Sequence, residues 1–327
     1  MKRRDVLGTL AAGAFLLRHR AGLAQKPDRV RRVGIIEDGP LWDYFRDSLR
    51  ELGDIDGQNI IIESRATEGN PDRLSAAAQE LARLPVDVIA VAGSPAAKAA
   101  QAATDTVPIV AMVIGDPVAI GLVKDWQRPG GNITGSTTLG PNLAAKRLQL
   151  LKSMLPYLSR IVYFWNPANP SSRTYLEHLR VAAPRLGATI IPVEARSAAE
   201  FDEALEQVAK SRADAMLTAG DIVQQRNIDR IIEFQLRHHL PGMFTRREDV
   251  AAGGLMSYGV SVPELYRDGA VYVHKILRGA RPAELPFAQP AKLELVINFE
   301  AAKAIGLTIP PPILAAADEV ISDEDAE

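Results

Sequence analysis

The chain has 327 residues, nearly half of them hydrophobic, and no cysteine. That length carries a large α/β core or two lobes of ordinary size. The missing thiol excludes disulfides, thiolate catalysis, zinc–cysteine sites and a lipid anchor on cysteine. Beyond residue 24 the chain has 33 basic and 39 acidic side chains, a net charge of −6. No basic arm or stripe interrupts it, which argues against nucleic acid as a partner. Among the five histidines (His19, His178, His238, His239, His274) only 238/239 are close in sequence. Neighbours on a helix do not share a face, so no metal site is expected.

The opening "MKRRDVLGTLAAGAFLL" has a basic start and an apolar core, and "AGLA" brings small residues to Ala24. Residues 1–24 read as an export signal, and the apolar run is too short to span a bilayer stably. Arg3-Arg4 resembles a twin-arginine signal, with a Sec signal as the competing route.

Strand-like and helix-like signals then alternate. "RRVGIIE" (31–37), "NIIIESR" (59–65), "DVIAVAG" (87–93), "PIVAMVIG" (108–115) and "NITGST" (132–137) predict five strands. "WDYFRDSLRELG" (42–53) and "PDRLSAAAQELARLP" (71–85) carry apolar residues at helical spacing. Continuous apolar strands separated by helices imply a parallel sheet covered on both faces.

After the helical "NLAAKRLQLLKSML" (142–155) the pattern restarts. "RIVYFWNP" (160–167), "TIIPVEAR" (189–196), "DAMLTAG" (214–220), "PGMFTR" (241–246) and "LMSYGV" (255–260) are its strands, with "FDEALEQVAK" (201–210) one helix between them. "VPELYRDGAVYVHKILRG" (262–279) predicts an amphipathic helix, "RPAELPFAQP" a connection and "KLELVIN" (292–298) a strand. "DEVISDEDAE" reads as a frayed acidic tail.

The fold class is therefore α/β, with two doubly wound parallel-sheet lobes. The expected division is lobe 1 over 31–140 plus about 255–280, lobe 2 over 141–254 plus about 285–300, and a C-terminal segment 301–327. Two such sheets facing each other form a cleft, because ligands bind beyond the carboxyl ends of strands in open parallel sheets.

Candidate site residues sit at those strand ends. Ser94 and Pro95 suit the N-cap and first position of a helix whose free N–H groups favour an anion. A cap serving only its own helix is the plainer alternative. Asp116-Pro117 either accepts from a ligand or initiates a turn. Thr137 and Thr138 offer hydroxyls or form an ordinary polar loop. In "WNPANPSSRTY" (165–175), Asn166, Asn169, Ser171 and Ser172 suit caps and ligand hydrogen bonds. Asp221 follows "MLTAG" and is read as the counterpart of Asp116. Trp42, Phe244 and Tyr258 either meet a ligand or fill the core. No G-x-S-x-G, P-loop or early G-x-G-x-x-G motif is present, so no catalytic residue and no cofactor is predicted.

These residues place the chain beside a known family. "GSPAAKAA", "VPIVAMVIGDPVAIGLV", "RPGGNITG", "WNPANP" and "KLELVINFEAAKAIGLTIPPPILAAADEVI" occur in one order along almost all of the chain beyond the signal. Together they resemble ABC-transporter substrate-binding proteins of the tryptophan and phenylalanine type. The resemblance implies a type I periplasmic-binding fold with a hinge and an interlobe cleft. It implies ligand contacts from Ser94, Pro95, Ala96 and Ala97, and from the loops at Asp116-Pro117, Thr137-Thr138, Asn166 to Ser172, Asp221 and Tyr258. It also implies a small-molecule solute, a membrane permease and an ATPase as partners, and a periplasmic, monomeric, non-enzymatic protein. The loop "EDGPLWDYFRDS" is shorter than usual for the family, so ligand identity does not transfer. A sensor subunit for a membrane kinase or chemoreceptor and an enzyme on a two-lobed scaffold are the rival readings.

Overall fold

The computed structural model describes residues 29–36, 39–67 and 70–322. The expected export segment and the last five residues of the acidic tail lie outside the described residues.

Short apolar runs form β1 (Arg31–Ile36), β2 (Ile60–Arg65), β3 (Val88–Ala92), β4 (Ile109–Ile114) and β5 (Ile133–Thr137), hydrogen-bonded in the order β2-β1-β3-β4-β5. All four pairings are parallel. Side chains alternate between the two faces of a strand. Ile36, Ile89, Val91, Ile109 and Ala111 pack with Ala78, Leu81, Ala97 and Ala100 of α2 (Leu74–Arg83) and α3 (Ser94–Ala103). Val33, Ile35, Val88, Val110 and Met112 pack on the opposite face with Trp42, Phe45 and Leu49 of α1 (Leu41–Glu51).

The second sheet repeats the plan. β6 (Arg160–Trp165), β7 (Thr189–Glu194), β8 (Ala215–Thr218), β9 (Gly242–Phe244) and β10 (Met256–Gly259) run in the order β7-β6-β8-β9-β10. Its helices are α4 (Ala144–Met154), α5 (Pro170–Ala182), α6 (Phe201–Ser211), α7 (Ile222–Gln225), α8 (Ile228–Arg237) and α9 (Arg247–Ala251). The next helix, α10 (Val262–Leu277), returns to the first sheet, where Val262, Tyr266, Ala270 and Val273 close the core around Trp42.

The expected boundaries shift in two places. The segment from about 255, expected in the first lobe, begins in the second: β10 hydrogen-bonds to β9 and to β11 (Glu294–Asn298), so the chain leaves the second sheet only after Gly259. The C-terminal segment is not separate either. Ala302 of α11 (Phe299–Ala304) and Ile313 of α12 (Pro311–Ala316) join the second core, and β12 (Glu319–Ile321) pairs in parallel with β11. Three residues are too few to show a strand period, so the acidic flank concealed β12 in the sequence.

The chain crosses between the sheets three times, after β5, between β10 and α10, and before β11. The last crossing lies along the β5 edge: Ala288 N donates to Gly135 O at 2.8 Å and Thr137 N to Ala288 O at 2.9 Å. No helix among the described residues is long and apolar enough to cross a membrane.

Candidate functional site: a cleft at two switch points

A sheet ordered 2-1-3-4-5 reverses its crossover direction between the first and third strands, and a crevice opens beyond their carboxyl ends. This chain makes that crevice twice. The turns after β1 (39–42), β3 (93–96), β6 (166–172) and β8 (219–222) contribute to the wall of one cleft of about 840 Å³. That volume falls within the usual range of small-molecule sites, about 300–1,000 Å³.

The third-strand turns are built differently. Gly93 adopts φ +85°, which an L side chain rarely tolerates, and turns the chain into α3. The Ser94 hydroxyl does not cap that helix, contrary to expectation. It lies 2.6 Å from the Ser171 hydroxyl at the start of α5, so the two lobes touch across the cleft through their helix starts. In the second lobe the equivalent turn holds Asp221, which caps α7 in a reciprocal capping box with Gln224. Gln224 Oε1 accepts from the backbone N–H groups of Ala219 and Gly220, both at 3.0 Å. Asp221 is thus the topological counterpart of Ser94. It is not that of Asp116, which follows the fourth strand of its sheet.

The asparagines hold this carboxylate. Asn166 Nδ2 donates to Asp221 Oδ1 at 3.1 Å, and Asn169 Nδ2 donates to Oδ2 at 2.8 Å. Asn169 Oδ1 also accepts from Ser171 N at 3.0 Å, capping α5. Of the sequence candidates, Trp42, Ser94, Pro95, Ala96, Thr138, Asn166, Asn169, Ser171, Ser172 and Asp221 line the cleft.

The remaining candidates are placed elsewhere. Ala97 faces the first core and is fully buried. Asp116 accepts from Val118 N and Ala119 N, both at 2.9 Å, in the turn that also holds Pro117. Thr137 donates to Gly115 O at 2.9 Å inside the crossing. Phe244 fills the core of the second lobe and is fully buried. Tyr258 packs its ring against the second core and offers its carbonyl to Arg147.

Arg147 is the residue the sequence reading missed. It falls on the buried stripe of α4 with Ala144, Leu148 and Leu151, and it is 2 % exposed. A charged residue at an apolar position of that helical period is the signal that would have found it. Nε donates to Tyr258 O at 2.6 Å, Nη1 donates to the Tyr175 hydroxyl at 3.2 Å, and the guanidinium lies 5.5 Å from the centre of the Tyr175 ring. No carboxylate pairs with Arg147 among the described residues, and it lines the cleft. Burial raises the pKa of Tyr175 and, well above its ordinary value, that of Tyr163, and the charges of Arg147 and Asp221 both act on Tyr163. Both phenols therefore stay neutral at physiological pH.

Two doubly wound lobes, three crossings and a cleft at paired switch points define a two-lobed binding protein of the type I periplasmic-binding fold. The sequence profile described as ABC transporter substrate binding protein matches residues 41–321, and the chain belongs to that family. A tyrosine-binding protein of Clostridioides difficile (strain R20291) is 23% identical over 264 residues, covering 80% of this chain and 75% of that protein. A conserved domain protein from Vibrio cholerae superposes with a TM-score of 0.83 at 27% identity, over 90% of this chain and 100% of that one. An ABC domain from Streptococcus pneumonia, solved in complex with L-Trp, superposes with a TM-score of 0.82 at 26% identity over the same shares.

Proposed function

We propose that this protein is the exported solute receptor of an ABC import system, closing on a small organic carboxylate and handing it to a membrane permease driven by an ATPase. In this reading it acts as a monomer in the periplasm and catalyses nothing. Arg147 carries the proposal. A buried guanidinium without an anion is costly, and its planar fork matches a carboxylate. The start of α3 at Ser94 adds N–H groups and partial positive charge to the cleft. The tyrosine-binding and L-Trp-bound relatives support an amino acid as the solute, and Trp42, Tyr175 and Tyr266 supply aromatic wall for one.

The test is a thermal-shift screen against amino acids, aromatic acids, dicarboxylates and nucleosides, followed by calorimetry. A ligand confined to the folded state raises stability by about 2.7 kcal/mol at a hundredfold excess over Kd. A carboxylate class that shifts the melt and is recovered intact is the expected result. Arg147→Met should then weaken it about 30-fold or more. Equal affinity in the Met variant removes the anchor, and turnover of the compound removes the receptor.

A further inference from the structure

Seven charged side chains line the described wall of the cleft. Asp43 pairs with Arg46, Asp47 with Arg50, and Arg246 with Asp249. Arg226 is engaged as well, and the Asp221 carboxylate already takes Asn166, Asn169 and Val223 N. Besides Asp221, two have no ion-pair partner among the described residues, one of each sign: Arg147 and Glu248.

Glu248 stands in α9, three residues after the Thr245 turn that ends β9. Its Oε2 is buried with no hydrogen-bond donor. The adjacent Arg247 hydrogen-bonds Glu319, with Nε to Oε2 at 2.7 Å, and Glu248 acts on it only through its charge. The two free charges border the same turn: a Cβ built on Gly259 would lie 2.0 Å from Thr245 O and 3.4 Å from Arg147 Nη2. A carboxylate oxygen buried without a donor is destabilising until a donor or cation reaches the group.

We infer that Glu248 receives the ammonium group of a zwitterionic solute whose carboxylate rests on Arg147. This deepens the solute-receptor reading and rests on it. A solute of that kind leaves neither wall charge unpaired. A simple carboxylate satisfies Arg147 and leaves Glu248 as it is. Asp221 has less to gain from a cation, since three donors already hold its oxygens.

The experiment compares probes that differ only in one charge: L-tyrosine and L-tryptophan, their des-amino acids 3-(4-hydroxyphenyl)propanoate and indole-3-propanoate, and tryptamine, which has no carboxylate. Kd is measured by calorimetry on the wild-type protein and on Glu248→Gln. The wild type should prefer an amino acid over its des-amino partner by about 30-fold or more. In Glu248→Gln that ratio should fall to within about threefold, with a thermal midpoint without ligand no lower than that of the wild type. A wild-type protein that binds both members of a pair equally overturns the inference but keeps the receptor for carboxylates. So does a ratio that survives in Glu248→Gln, which would give the ammonium to Asp221. Tryptamine binding as tightly as tryptophan overturns the carboxylate anchor and the proposed function with it. Should the Gln variant fail to fold, Glu248→Asp and the wild-type ratio still decide the matter.

Discussion

Arg147 and the two phenols beside it form one unit. Nη1 donates to the Tyr175 hydroxyl, the Tyr163 hydroxyl donates to Ser172 O at 3.0 Å, and the two rings lie 5.3 Å apart. Burial pushes both phenols up, because a phenolate here would lose its hydration. The sign of the linkage follows. A group whose pKa rises on folding lends stability that is present below the unfolded value, about 10, and is lost as pH climbs toward the folded value. A late stage of tyrosinate absorbance should therefore coincide with alkaline unfolding, because Tyr163 and Tyr175 ionise only then. Tyr175→Phe should remove one tyrosine from the late stage. A single stage that includes all seven tyrosines while the far-ultraviolet signal stays native would contradict the burial assigned to this pair.

At the scale of elements, the strands and most helices were legible because their signals are local. β1 to β10 fall within a residue or two of the apolar runs that predict them, and α10 occupies the amphipathic stretch assigned to it. What sequence spacing could not show was which elements meet. Ser94 and Ser171 are 77 positions apart and form a pair only because two separate sheets bring their helix starts together. In "NLAAKRLQLL" Arg147 is marked only as a charge on an apolar stripe, and the carbonyl that holds it, Tyr258 O, lies 111 residues later. The same convergence makes Gly115, at the end of β4, an informative position. A Cβ there would lie 2.7 Å from Ser171 Oγ and 2.8 Å from Ser171 Cβ, a contact across the cleft and not within a core. Overpacking costs about 1–3 kcal/mol, and here it falls on the approach of the lobes. Gly115→Ala should lower ligand affinity about tenfold and move the melting temperature of the free protein little. Adding Ser171→Gly should restore much of the affinity. A loss of stability equal to the loss of affinity would place the strain inside a lobe instead.

For the whole molecule, the question is whether the contact between the lobes is permanent or belongs to one of two states. Three backbone crossings join the sheets, and the crossing before β11 is tied to β5 by hydrogen bonds. A molecule joined this way can open by small dihedral changes at the crossings while each lobe keeps its own core, as in hinge closure around a ligand. The composition supplies a clean probe of that motion. The chain has no cysteine, so Ser94→Cys with Ser171→Cys introduces one defined pair where two hydroxyls now stand 2.6 Å apart. A disulfide requires Cα atoms about 4.4–6.8 Å apart, so the pair can bridge only while the two helix starts meet. If the free protein populates an open form, the reduced double variant should show a larger radius of gyration in small-angle scattering than the oxidised one. A ligand that binds wild type should contract the wild-type protein toward the oxidised value. Oxidation should also go faster with ligand bound, since a ligand shifts the population toward the state it prefers. Identical scattering from reduced, oxidised and ligand-bound protein would mean that the lobes are fixed in contact and that solute enters by a local opening at the cleft mouth.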